Sequence, residues 1–253
     1  MILNSKILGN HEKKILILHG LFGSLDNWLS IAKELSKYIQ VHIIDLRNHG
    51  KSFHEKNHSY ELMSFDLYNY INHFKIKKPI ILGHSMGGKV AMSYALNYPD
   101  GLQKLIVVDI APKNYINNYN KLINSLIRVE KSKISSRGQG KLILEQENID
   151  FATIQFLLKN LYRDKKQLVF RFNLRAIKNS IDELMNFDFK NYIWEGQTFF
   201  IKGGDSKYIL DSDLKLINNY FSNFSLVTID GANHWVHYDQ KEKFISSIKN
   251  LIT

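Results

Sequence analysis

Residues 79–92 read PIILGHSMGGKVAM. An apolar, β-branched run enters Gly83-His84-Ser85-Met86-Gly87, and a helix-forming segment leaves it. The pentapeptide G-x-S-x-G is weak evidence alone, since average composition supplies it by chance in roughly one chain in ten of this length. Its strand-turn-helix setting makes it a nucleophile elbow. In such a turn Ser85 takes a strained positive φ, tolerated because glycines two residues to either side let strand and helix approach closely. The hydroxyl then stands above the sheet. The helix N-terminus, with the Met86 N–H, faces the oxygen that gains negative charge when a carbonyl is attacked.

A serine nucleophile needs a base, and the base an orienting carboxylate. SLVTIDGANHWVH (225–237) runs from a strand through a glycine turn to His234, at the same end of the sheet as Ser85. His237 falls outside this scheme and reads as structural. Two aspartates compete for the acid. Asp109 closes LIVVD, the strand after the nucleophile helix, and Asp205 follows FFIKGGD one strand later. Both satisfy the chain order serine, aspartate, histidine, so order leaves both open.

Working outward, further apolar runs at 14–18, 41–45, 105–110, 198–203 and 225–230 read as buried strands. Helical candidates lie at 26–38, 61–74, 86–98 and 239–251, and the alternation predicts a mainly parallel sheet covered on both faces. Pro79, Pro99 and Pro112 fall at element edges, where a missing N–H costs least. The alternation breaks once. From about 113 to 192 the chain is polar, Lys-rich and helical in pattern, with no good strand, and is expected to form a helical cap inserted after the strand ending at Asp109. Its Phe, Leu and Tyr side chains would cover a pocket.

The chain has 253 residues and is 44% hydrophobic, enough for one globular domain spanning 1–253 with the cap as an insertion. No apolar run approaches the ~20 residues of a membrane span, and the start lacks the order of a signal peptide. A cytoplasmic location is expected. Zero cysteines exclude disulfides, thiolate metal sites and a cysteine nucleophile. The net charge of +10 is spread without a block or stripe, so no nucleic-acid partner is expected.

HEKNH (54–58) fits H-E-x-x-H, which needs a helix to bring both imidazoles to one metal. Here it follows a strand and a glycine, lacks apolar periodicity and ends at Ser59, a helix N-cap candidate. A loop is expected, with no metal and no cofactor.

HGLFGSLDNW (19–28), DLRNHGKS (45–52), GHSMGGKVAM (83–92), VDIAP (108–112), FIKGGDS (200–206) and GANHWVH (231–237) occur in order over nearly the whole chain. Together they resemble the α/β-hydrolase superfamily and, within it, the YbfF-like esterase branch. The resemblance implies esterase or thioesterase chemistry on short acyl groups, including acyl-CoA esters. It implies that the acid follows the strand after the nucleophile helix, which is Asp109. Asp205 occupies the acid position of most other α/β-hydrolases and stays the alternative. His19–Gly23 closes a buried strand and is expected to supply a second oxyanion N–H from Leu21, with Phe22 the alternative.

The expected enzyme is a serine esterase or thioesterase using Ser85, His234 and Asp109, with Leu21 and Met86 amides at the oxyanion. Its partner is a small ester or thioester substrate, with CoA or an acyl carrier protein suggested by the positive charge. A lactonase, a pimeloyl-carrier methyl esterase or a perhydrolase would share the triad. A catalytically silent receptor would share only the scaffold.

Overall fold

Seven of the chain's extended segments join one sheet in the computed structural model, which describes residues 1–189 and 192–252. The chain runs β1 (Ser5–Leu8), β2 (Lys14–Leu18), α1 (Leu29–Leu35), β3 (Gln40–Ile44), α2 (Tyr60–His73), β4 (Ile80–His84), α3 (Met86–Asn97) and β5 (Lys104–Val108). It then leaves the sheet through α4 (Asn120–Lys131), α5 (Arg137–Gln146), α6 (Phe151–Lys159), β6 (Leu161–Asp164), β7 (Gln167–Phe170) and α7 (Leu174–Met185). It returns as β8 (Thr198–Gly203), α8 (Leu214–Tyr220), β9 (Phe224–Ile229), α9 (Val236–Asp239) and α10 (Lys241–Ile252). Lys190 and Asn191, near the far limit of the expected cap, lie outside the described residues.

The strand order is β1-β3-β2-β4-β5-β8-β9, parallel throughout except for β1, which pairs antiparallel with β3. Period-2 alternation divides each central strand between two apolar layers. Leu16, Leu18, Ile81, Leu105 and Val107 face α2 and α3, while Ile15, Ile17, Ile80, Leu82 and Ile106 face α1 and α10. The third apolar cluster belongs to α4–α7 and the β6–β7 hairpin, and it meets the sheet domain at Phe22 and Leu21.

From β2 the chain goes to β3 on one side and later to β4 on the other. The strand order therefore reverses between β2 and β4. In open α/β sheets the crevice beyond the carboxyl ends of strands at such a point is where ligands bind. The turns after β2 and β4 carry His19–Gly23 and Ser85.

All six expected strands are present, and four features differ from expectation. The cap contains a strand pair, β6–β7, turned at Lys165, whose φ is 52°. Lysine is a poor signal for left-handed backbone, which usually falls to Gly or Asn. β1 is a half-exposed edge strand with no apolar run, and α8 is a short helix. The expected C-terminal helix is present as α10, and a separate one-turn helix, α9, precedes it.

Candidate active site

Ser85 follows β4 with φ 52° and ψ −119°, between strand and helix. Its neighbours explain why the sequence accepts this. A Cβ on Gly83 would overlap the Gly87 carbonyl, and one on Gly87 would come within 2.5 Å of the Leu18 carbonyl oxygen. Only glycine at both positions lets α3 start against the ends of β2 and β4. The Ser85 N–H donates to the Val108 carbonyl at 3.0 Å, tying the turn to β5.

His234 lies in the loop after β9. Its Nε2 is 3.0 Å from Ser85 Oγ and its Nδ1 is 2.8 Å from Asp109 Oδ2. Asp109 is fully buried, with φ 51°. Its Oδ1 accepts from the Gly203 N–H at 3.1 Å, and its Oδ2 also accepts from the Ser206 hydroxyl at 2.5 Å. Three donors fix the orientation of this buried carboxylate. Nδ1 facing a carboxylate carries the ring proton, which leaves Nε2 to accept from the serine.

Asp205 is not brought to the histidine. It is exposed, and its backbone N–H donates to the Ala232 carbonyl at 3.0 Å. The GGDS stretch reaches the site through Ser206 instead, one residue further on.

The turn after β2 is held by DLRNHGKS. The Phe22 N–H donates to His49 Nε2 at 3.2 Å, and His49 Nδ1 donates to the Arg47 carbonyl at 3.0 Å. His19 Nε2 accepts from the Leu46 N–H, so its Nδ1 donates to the Gly20 carbonyl. Burial pushes His49 and His84 well below the usual imidazole range and lowers His19, in keeping with these neutral tautomers. Asp45 accepts from the Leu25 and Lys51 N–H groups at 2.7 and 2.9 Å, bracing both loops. Phe22 sits at φ 59°, with its ring 5.0 Å from that of Phe172 in the cap.

Further neighbours fix the base. His84 Nε2 donates to the His234 carbonyl at 2.8 Å and so fixes the loop that bears the base. Tyr208 lies face to face on the His234 ring, with centroids 3.7 Å apart and planes 14° apart. His237 is buried and stacks on Trp28 at 4.2 Å, away from Ser85. Burial lowers it to about 3. His84 lies inside the G-x-S-x-G stretch and His237 takes the structural place its sequence position suggested, whereas Tyr208 carries no local signal.

HEKNH runs through a loop between Gly50 and α2. His54 is exposed and His58 buried, so the two do not share a helix face. Ser59 caps α2, its hydroxyl accepting from the Leu62 N–H. Among the described residues no three His, Cys, Asp or Glu side chains are grouped to hold a metal ion.

The family model for the α/β-hydrolase fold matches residues 13–241. An sn-1-specific diacylglycerol lipase of Danio rerio is 36% identical over 242 residues, covering 92% of this chain and 76% of that protein. Esterase YbfF of Escherichia coli is 30% identical over 244 residues, covering 96% and 94%. A solved structure described as a marine microorganism esterase superposes with a TM-score of 0.93 at 38% identity, covering 98% of each chain.

Proposed function

We propose that this chain, which belongs to the α/β-hydrolase fold family and is a carboxylic ester hydrolase, works by two-step acyl transfer through Ser85. One observation carries the reading: the unbroken file of contacts from Ser85 Oγ through His234 to the buried Asp109 carboxylate. His234 takes the serine proton as Ser85 attacks the carbonyl, and returns it to the departing alcohol or thiol. Water then attacks the acyl-enzyme by the same route. Asp109 stabilises the imidazolium formed in each half-reaction.

The oxyanion is assigned to the N–H groups of Leu21 and Met86. Met86 opens α3, whose N-terminus favours negative charge. The Phe22 N–H is already engaged by His49, which favours Leu21 as the second donor. Residues 113–192 are assigned as a cap within a single domain of 1–253. The apolar contact of the cap cluster with Phe22 supports a pocket for a short acyl chain at that seam.

The substrate class is carboxylic esters or thioesters of short acyl groups. CoA and acyl carrier thioesters belong in the panel because the chain carries a net +10, and glycerol esters because of the diacylglycerol lipase relative. The test is to quench the wild type during turnover of an activated ester and weigh it. An added acyl mass on the peptide bearing Ser85, absent from Ser85→Ala, is expected. Turnover with the label on another residue, or with none under conditions where deacylation is slow, would refute the mechanism. Tight ligand retention without turnover would favour the silent receptor.

A further inference from the structure

Lys89 lies one helical turn beyond Ser85 on α3 and is only 2% exposed, where an unpaired ammonium would be strongly disfavoured. Its Nζ donates to the carbonyls of Met185 and Asn186 at 3.0 and 3.1 Å. These are the carbonyls of the last residue of α7 and of its C-cap, where the chain leaves the cap, and a helix C-terminus favours a cation. The Tyr115 ring, on the path into the cap, stands 5.0 Å from the same Nζ. The Tyr115 N–H also donates to the Met185 carbonyl, at 2.9 Å. Entry to the cap and exit from it thus meet at one lysine on the nucleophile helix.

From Tyr115 the contacts continue to the histidine. Its hydroxyl donates to the Tyr208 carbonyl at 2.7 Å and accepts from the Ala111 N–H at 2.9 Å. The Tyr208 ring is the one stacked on His234. The Tyr208 N–H donates to Ser206 Oγ at 3.2 Å, and Ser206 in turn donates to Asp109. Tyr208 therefore touches both partners of the serine, one by its ring and the other through Ser206.

We propose that Lys89 and Tyr115 are positioning residues that set the plane of the His234 ring from the root of the cap, acting through Tyr208. This rests on the reading of His234 as the base for Ser85. The imidazole is hydrogen-bonded at both nitrogens, but those bonds leave the tilt of the ring about its Nδ1–Nε2 line to whatever packs on its face. Tyr208 stacks flat on one face, with the His84 ring tilted against the imidazole at 4.8 Å, and Tyr115 holds the backbone of Tyr208. A displacement of α7 is transmitted by the Met185 carbonyl to Lys89 and Tyr115, and from Tyr115 to Tyr208. Occupancy of the cap is thereby coupled to the alignment of the base.

Tyr115→Phe removes the hydroxyl and keeps the ring under Lys89. Wild type, Tyr115→Phe, Tyr208→Ala, the double variant and Ser85→Ala are compared by kcat and KM on p-nitrophenyl esters, and by the rate of serine labelling with a fluorophosphonate, which needs no ester. Tyr115→Phe should lower kcat and labelling rate about three- to tenfold with KM within about twofold. The double variant should be no slower than Tyr208→Ala, because the hydroxyl acts through Tyr208. Wild-type kcat and labelling in Tyr115→Phe, or losses that multiply in the double variant, would overturn the relay. Lys89→Met should lower kcat in the same way where it folds, and the Tyr115→Phe result decides the matter where it does not. A wild type that neither turns over nor labels, or labelling that persists in Ser85→Ala, overturns the Ser85 mechanism itself. Ser85-dependent labelling with a normal Tyr115→Phe overturns the relay alone.

Discussion

At the scale of single residues, the carboxylate that orients His234 separates two aspartates that chain order could not. Asp109 is buried and accepts three hydrogen bonds, whereas Asp205 is exposed. Asp109→Asn should lower kcat by about 10³- to 10⁴-fold, because an amide cannot hold the ring in the required tautomer. Asp205→Asn should stay within about twofold. Steady-state kinetics on one ester checks both, and the reverse ranking would move the acid to Asp205. The choice between the aspartates depends on burial and hydrogen bonding across the sheet edge and was not legible, whereas Ser85, His234 and the competing pair were, because each lies at or just beyond a strand end in a recognisable motif. Tyr208 and Lys89 were not: their roles arise from segments 26 and 96 residues away, His234 and Met185, which no local pattern relates.

At the scale of elements, α2 and the loop before it illustrate how buried polar groups enter the energetics. His58 closes HEKNH, is 1% exposed, and neither of its nitrogens has a hydrogen-bond partner among the described residues. Burial lowers it to about 3, with the Arg47 guanidinium adding to the effect. A histidine depressed in the folded state contributes stability that is full above its unfolded value, near 6.5, and is lost as pH falls towards 3. His58 alone removes about 2 kcal/mol by pH 5, a large part of a typical total of about 5–15 kcal/mol. His237, lowered to about 3, adds to the same loss. His58→Leu should therefore flatten the decline in unfolding free energy between pH 7 and 5 by about 2 kcal/mol, measured by urea denaturation. Parallel curves for variant and wild type would show that His58 is not the titrating group. The loop was readable from missing apolar periodicity, but the burial of His58 against His49, 5.6 Å between rings, was not. The β6–β7 hairpin was missed for a related reason: its inward residues Leu161, Leu168 and Phe170 alternate over only four-residue strands, and its turn lacks glycine.

For the whole molecule, the parallel sheet was legible because its central strands, buried on both faces, are short apolar runs, and the edge strand β9, though partly exposed, still carries Leu226, Val227 and Ile229. The edge strand β1 escaped because it is half exposed. No helix of the described residues is long and apolar enough to cross a membrane. The net charge of +10 bears on association with acidic substrates rather than on the fold. If acyl-CoA is a substrate recognised through this charge, kcat/KM should fall several-fold between about 0.02 and 0.5 M salt. The value for uncharged p-nitrophenyl esters should stay level, and a flat response for both would remove electrostatics from substrate choice.

The most direct measurement is hydrolysis of p-nitrophenyl esters of graded chain length by purified wild type and Ser85→Ala, without added metal. The wild type should turn over, with a preference for short chains, and Ser85→Ala should be slower by roughly 10³-fold or more. A Ser85→Ala protein that kept the wild-type rate would contradict the assignment of the nucleophile and, with it, the mechanism built on this turn.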